Sequence, residues 1–466
     1  MTELNRIFGA AEAPDTFTEN GDVAFKNLSN RLLDILFKSE YLRHHLNEVV
    51  IGTSDKEKLF AMFIRDARNG LGQREVGREL MKQAETEFSD VLTAGRGDDL
   101  WAMYASDKEK FSAVCDFVYS EIVNRGELCE LLKKWCPRFP TKNKVKNEGT
   151  VTKAEKLTEA QEKKAVLARR IARQWKFNKQ QYSKFIKTET VEHQLSDHRE
   201  DDIIFEHVPS LAAIKYAPTF SRNPKTKDRY TQYLLDVCNG NAKVNMAVTT
   251  VYDIYRNRIK DGFDADLWYD KLPKISGSFL PIIDVSGSMY NRYDAIGKAL
   301  SVGYYLSDCS TYCNRQFVTF SEIPQLVQLA PKETGFTRTL EQIKDANWGA
   351  NTDFAEVLDL LHNMQSYPDY IVVLTDMQFD QGTYRSKVSL QDLWRENNVN
   401  TKIIWWNFAT SNACAPETDE MGNIFMSGYS PVLLQYLESG FDGEQFLDKL
   451  LAVYAEKVGK EFNGKL

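Results

Sequence analysis

The sequence predicts an α + α/β chain: an all-helical, irregular helical-repeat-like region over residues 1–275, then a doubly wound α/β domain over 276–466. Three observations lead to this. Through about residue 270, apolar residues recur at three- and four-residue spacing, the mark of helices with one buried face. From Ser276 onward the texture changes to short apolar runs alternating with helical stretches, which is the pattern of a parallel sheet. The first of those runs ends in a loop rich in carboxyl and hydroxyl groups, the place where open α/β sheets bind their ligands.

The helical spacing is carried by Leu28 to Leu46, Asp55 to Arg68, Gln73 to Phe88, Lys108 to Lys134, Leu211 to Tyr216 and Asp228 to Val237. Short polar or glycine breaks such as Asn69-Gly70-Leu71-Gly72 separate them, and no clean period of 34 or 40 residues emerges. In the second half the expected strands are Phe279 to Ile283, Arg315 to Phe320, Tyr370 to Leu374 and Lys402 to Phe408. Helices are expected at Tyr293 to Leu306, Phe354 to Met364, Leu390 to Asn397 and Gly443 to Lys457.

The loop after the first strand reads Asp284-Val-Ser-Gly-Ser288. This D-x-S-x-S pattern resembles the metal-ion-dependent adhesion site of von Willebrand A-type domains. The resemblance implies a Thr and an Asp from two later loops. Thr352, in Asn351-Thr352-Asp353, and Asp376, after the run Tyr370 to Leu374, stand in those places. Hydroxyls and carboxylates are hard donors suited to Mg²⁺, with Mn²⁺ or Ca²⁺ as substitutes. Ser286, Ser288 and Thr352 would be neutral ligands, so Asp284 and Asp376 would supply the charge. The ion would stay electron-poor and ready for an acidic group from a partner. No nucleophile with an adjacent general base stands beside it, so a binding site rather than an enzyme is expected. The alternative is a turn that merely caps the next helix.

A chain of 466 residues suits two to four domains. Its formal charge of −7 implies no global attraction to nucleic acid. Seven cysteines, an odd number, with no signal-peptide pattern at the start, suggest reduced thiols and a cytoplasmic protein. No run of 18 apolar residues occurs, so no membrane span is expected. Cys309-x3-Cys313 lacks further ligands nearby and reads as ordinary thiols, as His44, His45, His193 and His198 read as ordinary histidines.

Charge is concentrated. Lys142 to Lys187 holds 14 Lys and Arg against 4 Asp and Glu, within which a basic insertion spans about 141–175. Lys163 to Trp175 has helical apolar spacing at Val166, Ile171 and Trp175, and Asn178 and Gln181 form a capping-box pair for a further helix. Trp175, Phe177, Tyr182 and Phe185 interleave with Arg169, Arg170, Arg173, Lys176, Lys179 and Lys184, and Lys163 and Lys164 precede them as further candidate contacts. Such interleaving serves single-stranded nucleic acid. It equally describes a helix pair with its rings packed inward, the reading we adopt for the aromatics. For the cations, solvated face and RNA contact both stay open. A second cationic stretch, Arg65-Asp66-Ala67-Arg68 with Arg74, surrounds two glycines. It reads either as a phosphate grip or as a joint pinned by Asp66.

Almost end to end, the chain resembles an uncharacterised family that joins a TROVE-like helical region to a von Willebrand A-type domain. The resemblance is carried by Thr18-Glu-Asn-Gly21, Leu32-Leu-Asp34, Ile64 to Arg74, Val208-Pro-Ser210, Asp284 to Met289, Trp348 to Phe354, Thr375 to Asp380, Trp406-Asn407 and Ser427 to Pro431. Asn69 and Leu71 stand where the family's Gly-Gly-Lys-Gly-Glu-Arg stretch has a Gly and the Lys. A similar layout belongs to the Ro autoantigen family, whose members bind small non-coding and misfolded RNAs. The resemblance therefore implies an RNA- or ribonucleoprotein-associated protein with structured or misfolded RNA as partner. The rival expectation is a scaffold whose metal grips a partner's carboxylate.

Overall fold

Phe279–Asp284 (β3), Tyr370–Thr375 (β6) and Lys402–Asn407 (β7) are near-continuous apolar runs, buried along almost their whole length. Strands without in/out alternation need cover on both faces, and they become the centre of a parallel sheet. In this computed structural model they do. The described residues are 14–124, 128–140, 158–246, 248–320, 324–344, 354–363, 366–380, 390, 392, 394–397, 399–410, 414–417, 423–429, 433 and 445–460.

With Gln316–Phe320 (β4), Gln325–Gln328 (β5) and Ile424–Ser427 (β8), the sheet has the order β5-β4-β3-β6-β7-β8. All neighbours are parallel except β5, which returns antiparallel along β4 with Phe317 opposite Val327. The four strands read from the sequence are present to within a residue or two, whereas β5 and β8 were not expected. β5 escapes a hydrophobicity reading because Gln-Leu-Val-Gln is an exposed edge. β8 is buried but only four residues long. A small hairpin, Thr16–Phe17 (β1) with Val23–Ala24 (β2), is the first element among the described residues.

The chain divides into two compact units, Met1–Gly77 with Ile204–Leu466, and Arg78–Ile203. The change of texture near residue 276 is therefore not where the units part. The reason is packing across that point. Helices Val251–Asn257 and Ala265–Asp270, in the helical half, bury their apolar faces on helices Ala295–Cys309 and Phe336–Lys344 of the α/β half. The Tyr252 hydroxyl donates to Asp294 (3.0 Å), and the Tyr269 ring stacks on Phe336 at 4.4 Å.

The first 77 residues also belong to the sheet unit. Phe37, at the end of helix Arg31–Phe37, meets Phe425 of β8 edge-on at 5.3 Å, and Phe63 meets Tyr454 of helix Phe446–Val458 at 5.4 Å. The expected helix Leu28 to Leu46 is broken at Lys38 into Arg31–Phe37 and Ser39–Leu42. The break places Glu40 deep inside. Its carboxylate accepts from Gln73 Nε2 (2.5 Å), Arg43 (3.1 Å) and Lys298 Nζ (3.2 Å). Such an arrangement satisfies a buried charge by pairing and hydrogen bonding together.

The second unit is helical, with Phe88–Ala94, Gly97–Tyr104, Lys110–Asn124, Leu128–Trp135, Glu159–Gln174, Lys179–Phe185 and Val191–Ser196. The helix and the cap expected of its basic part both appear, and Ile171 and Trp175 are buried as expected, but Val166, expected on the same apolar face, is exposed. Glu159–Gln174 buries the stripe Ala165, Ala168, Ile171 and Ala172. The Asn178–Gln181 capping box is closed by two bonds of 2.9 Å.

Candidate divalent-cation site and basic surface

Strands β3 and β6 are parallel neighbours, with Ile283 opposite Leu374, so their C-terminal ends coincide. Asp284 closes β3 and Asp376 follows β6; both are buried. A short hydrogen-bonded circuit joins them. The Ser286 N–H donates to Asp284 Oδ1 (2.9 Å), the Ser286 and Ser288 hydroxyls lie 3.2 Å apart, and the Ser288 hydroxyl donates to Asp376 Oδ1 (3.2 Å). Four of the five expected ligands are thus brought together from two loops. The fifth, Thr352, lies outside the described residues, as does the Trp348 to Asp353 stretch.

Burial raises the pKa of both carboxyls, and for Asp284 the charge of Asp376 adds to the rise. Among the described residues, no basic side chain bonds either carboxylate. Two crowded carboxylates with two hydroxyls between them fit a hard divalent cation, which would relieve both the desolvation and the repulsion. The donor set holds only two acidic groups. Consistently, no cluster of three or more His, Cys, Asp or Glu side chains suited to a metal occurs among the described residues.

Two supports of this site were not read from the sequence. Thr375, buried, donates its hydroxyl to Asp284 Oδ2 (2.6 Å) and accepts the Met377 N–H (3.0 Å), while Met377 takes a left-handed φ of 66°. That backbone conformation is uncommon for a side chain of this size and marks a tightly determined loop. The second support is the turn between β1 and β2. Thr18 donates to the Phe379 carbonyl (2.6 Å), the Glu19 N–H to Gln378 Oε1 (2.8 Å) and Asn20 to the Gln378 carbonyl (3.0 Å), and Gly21 bridges Asp380. The available signals were the turn chemistry of Asn20-Gly21 and a Thr placed before Asp376, and neither reveals its partner, 361 residues away for Thr18 and 91 for Thr375.

Of the eight basic residues singled out, the structure separates three kinds. Lys163, Lys164, Arg169 and Arg173 are exposed on helix Glu159–Gln174, whose Ala165, Ala168, Ile171 and Ala172 are buried. Arg170 corrects the expectation. Its guanidinium lies 3.9 Å over the Phe111 ring and donates to the Ala105 carbonyl (2.6 Å), so it packs rather than offering itself to phosphate. Trp175, Phe177 and Phe185 likewise pack among themselves and against Tyr119, at 5.1–6.4 Å, with Tyr182 fully buried. The lysine-rich 141–157 part of the insertion lies outside the described residues.

Arg65 is a second correction. It is buried, because Gly77 allows the helix Arg74–Gln83 to sit against it; a Cβ at Gly77 would lie 2.6 Å from the Arg65 Cα. A guanidinium there cannot reach a solvent phosphate. Arg68 is exposed and Arg74 half-buried, so the three do not form one grip. Asp66 does pin the turn, through the N–H groups of Arg68 (2.8 Å) and Asn69 (3.2 Å) and the Tyr454 hydroxyl (3.3 Å).

Comparison with known proteins gives relatives without assigned activity. Residues 278–461 match the family model "Domain of unknown function (DUF7788)" and residues 124–265 match "Domain of unknown function (DUF2828)". An uncharacterized protein, L728, of Acanthamoeba polyphaga mimivirus is 26% identical over 492 residues, covering 90% of this chain and 84% of its own length. Among solved structures, the Ro (RSR) protein of Deinococcus radiodurans aligns with a TM-score of 0.45 at 12% identity, over 94% of this chain and 99% of that one. No helix among the described residues is long and apolar enough to cross a membrane.

Proposed function

We propose that this protein is a non-enzymatic, cytoplasmic binding protein whose α/β part is a von Willebrand A-type domain. In it Asp284, Ser286, Ser288, Thr352 and Asp376 hold Mg²⁺, or Mn²⁺ or Ca²⁺ in its place, to receive an acidic ligand. The observation that supports this reading is the hydrogen-bonded circuit from Asp284 through Ser286 and Ser288 to Asp376. Three neutral ligands leave the ion electron-poor, so a partner's carboxylate or phosphate would complete its shell. Calorimetry with Mg²⁺ and Mn²⁺ tests it: wild type binds, and Asp284→Ala loses binding while keeping its circular dichroism spectrum. Equal binding by the two proteins removes the site.

The partner we propose is RNA or a ribonucleoprotein, met by Lys163, Lys164, Arg169 and Arg173, all exposed on helix Glu159–Gln174. Each phosphate neutralised on a single strand contributes roughly −0.7 to the slope of log affinity against log salt. Four contacts then give a slope near −3, which the fourfold Glu variant loses. A flat salt response in both proteins would favour the second reading, a protein scaffold whose metal holds a partner's acidic residue. That reading is favoured by the same neutral ligand set, and its partner would stay bound after nuclease treatment.

A further inference from the structure

Apart from the cation site, the sheet unit carries a cleft of about 250 Å³ whose walls include Arg43, Gly72, Arg74, Thr250, Asp253 and Tyr429. Tyr429 follows β8, so the cleft opens at the same edge of the sheet as Asp284 and Asp376, but two strands beyond β6. Its charge is set from behind. Glu40, without exposure to solvent, brings one negative charge and binds two cations, Lys298 and Arg43. Lys298 is buried beneath the Tyr429 ring, 5.0 Å from its centre. Arg43 gives one amino nitrogen to Glu40, keeps a third of its side chain exposed, and lines the cleft.

Arg74, half-buried, is a second arginine lining the same space. The acidic lining is weaker than a count of residues suggests. One Asp253 oxygen is tied up by the Thr250 N–H (3.0 Å) and hydroxyl (2.7 Å), and burial pushes its pKa up. Glu75 is exposed at the rim.

We propose that this cleft binds a phosphate group, with Arg43 and Arg74 as its guanidinium partners. Planar donor forks match phosphate oxygens in pairs, which ammonium groups do not. The size agrees, since pockets for larger organic ligands run to about 300–1,000 Å³. The group comes either from a free mononucleotide or from the phosphorylated end of an RNA, and the probes below separate these sources. The inference stands without the cation site, and the measurements are made in chelator.

The experiment titrates full-length protein with inorganic phosphate, AMP, and one RNA hexamer with a 5′-phosphate or a 5′-hydroxyl, at constant ionic strength, with acetate as control anion. Phosphate and at least one phosphorylated probe are expected to bind, and Arg74→Gln to weaken them tenfold or more. Arg68→Gln, at an exposed arginine outside the cleft, should leave them unchanged. Arg43→Gln should act like Arg74→Gln, and is read only if its melting temperature is retained, because it also removes a partner of Glu40. Saturation by AMP assigns the small molecule; preference for the 5′-phosphorylated hexamer over its 5′-hydroxyl twin assigns the RNA end. Acetate binding as tightly as phosphate, no saturation by any probe, or wild-type affinity in Arg74→Gln overturns the proposal.

Discussion

Replacing Lys298 by Met strips a cation from a carboxylate that has no contact with water. Burial alone would push the Glu40 pKa up, but the charges of Lys298 and Arg43 and the Gln73 hydrogen bond outweigh it and hold the pKa below the usual carboxylate value. Removing one partner of a buried pair costs about 3–5 kcal/mol. Arg43 and Gln73 remain, so the lower end applies, about 3 kcal/mol. At about 2 °C per kcal/mol for a large unit, the variant should melt about 6 °C lower by scanning calorimetry at pH 7. The pH dependence has a definite sign. A depressed carboxylate stabilises the fold above its unfolded pKa and loses that contribution as pH falls through its folded value. In the variant the Glu40 pKa moves up, so protonation relieves the buried charge and the gap to wild type narrows on acidification. Glu40→Gln with Lys298→Met should recover more than half of the loss at pH 7. A variant melting within a degree of wild type at pH 7, or a gap that widens in acid, would refute the reasoning.

Thr375→Val removes the hydroxyl that bonds buried Asp284 and anchors the Met377 turn, and should cost about 1.5–3 kcal/mol in thermal unfolding. Gly77→Ala, which on helix propensity alone would stabilise by about 1 kcal/mol, should instead destabilise by about 1–3 kcal/mol, because the new methyl meets the Arg65 backbone at 2.6 Å. Arg170→Ala should lower the stability of the helical unit by about 1–2 kcal/mol while Arg169→Ala stays within about 0.5 kcal/mol, read from denaturant curves followed by tryptophan fluorescence. Equal effects of the two would mean that Arg170 is as solvated as its neighbour.

What the sequence determined by itself was local. Periods of 3.6 and apolar runs of five or six residues locate most described helices and the central strands, because those elements bury one face or both and their residues must say so. The loop after β3 was legible for the same reason: Asp284, Ser286 and Ser288 lie within five residues, and one turn suffices to bring them together. The Asn178–Gln181 cap is likewise written in neighbours. Tertiary structure alone decided the rest. The pairing of β3 with β6 sets Asp284 beside Asp376, and the turn at Thr18 to Gly21 clamps the loop at Gln378 and Phe379. Arg65 and Arg170 have the same chemistry as Arg68 and Arg169, yet a missing Cβ at Gly77 and a ring at Phe111 turn them inward. The boundary near residue 276 follows the change of period, but the compact unit follows burial. Helices Val251–Asn257 and Ala265–Asp270 have apolar faces that the α/β half helps to cover, and periodicity records that a face is buried without recording what buries it.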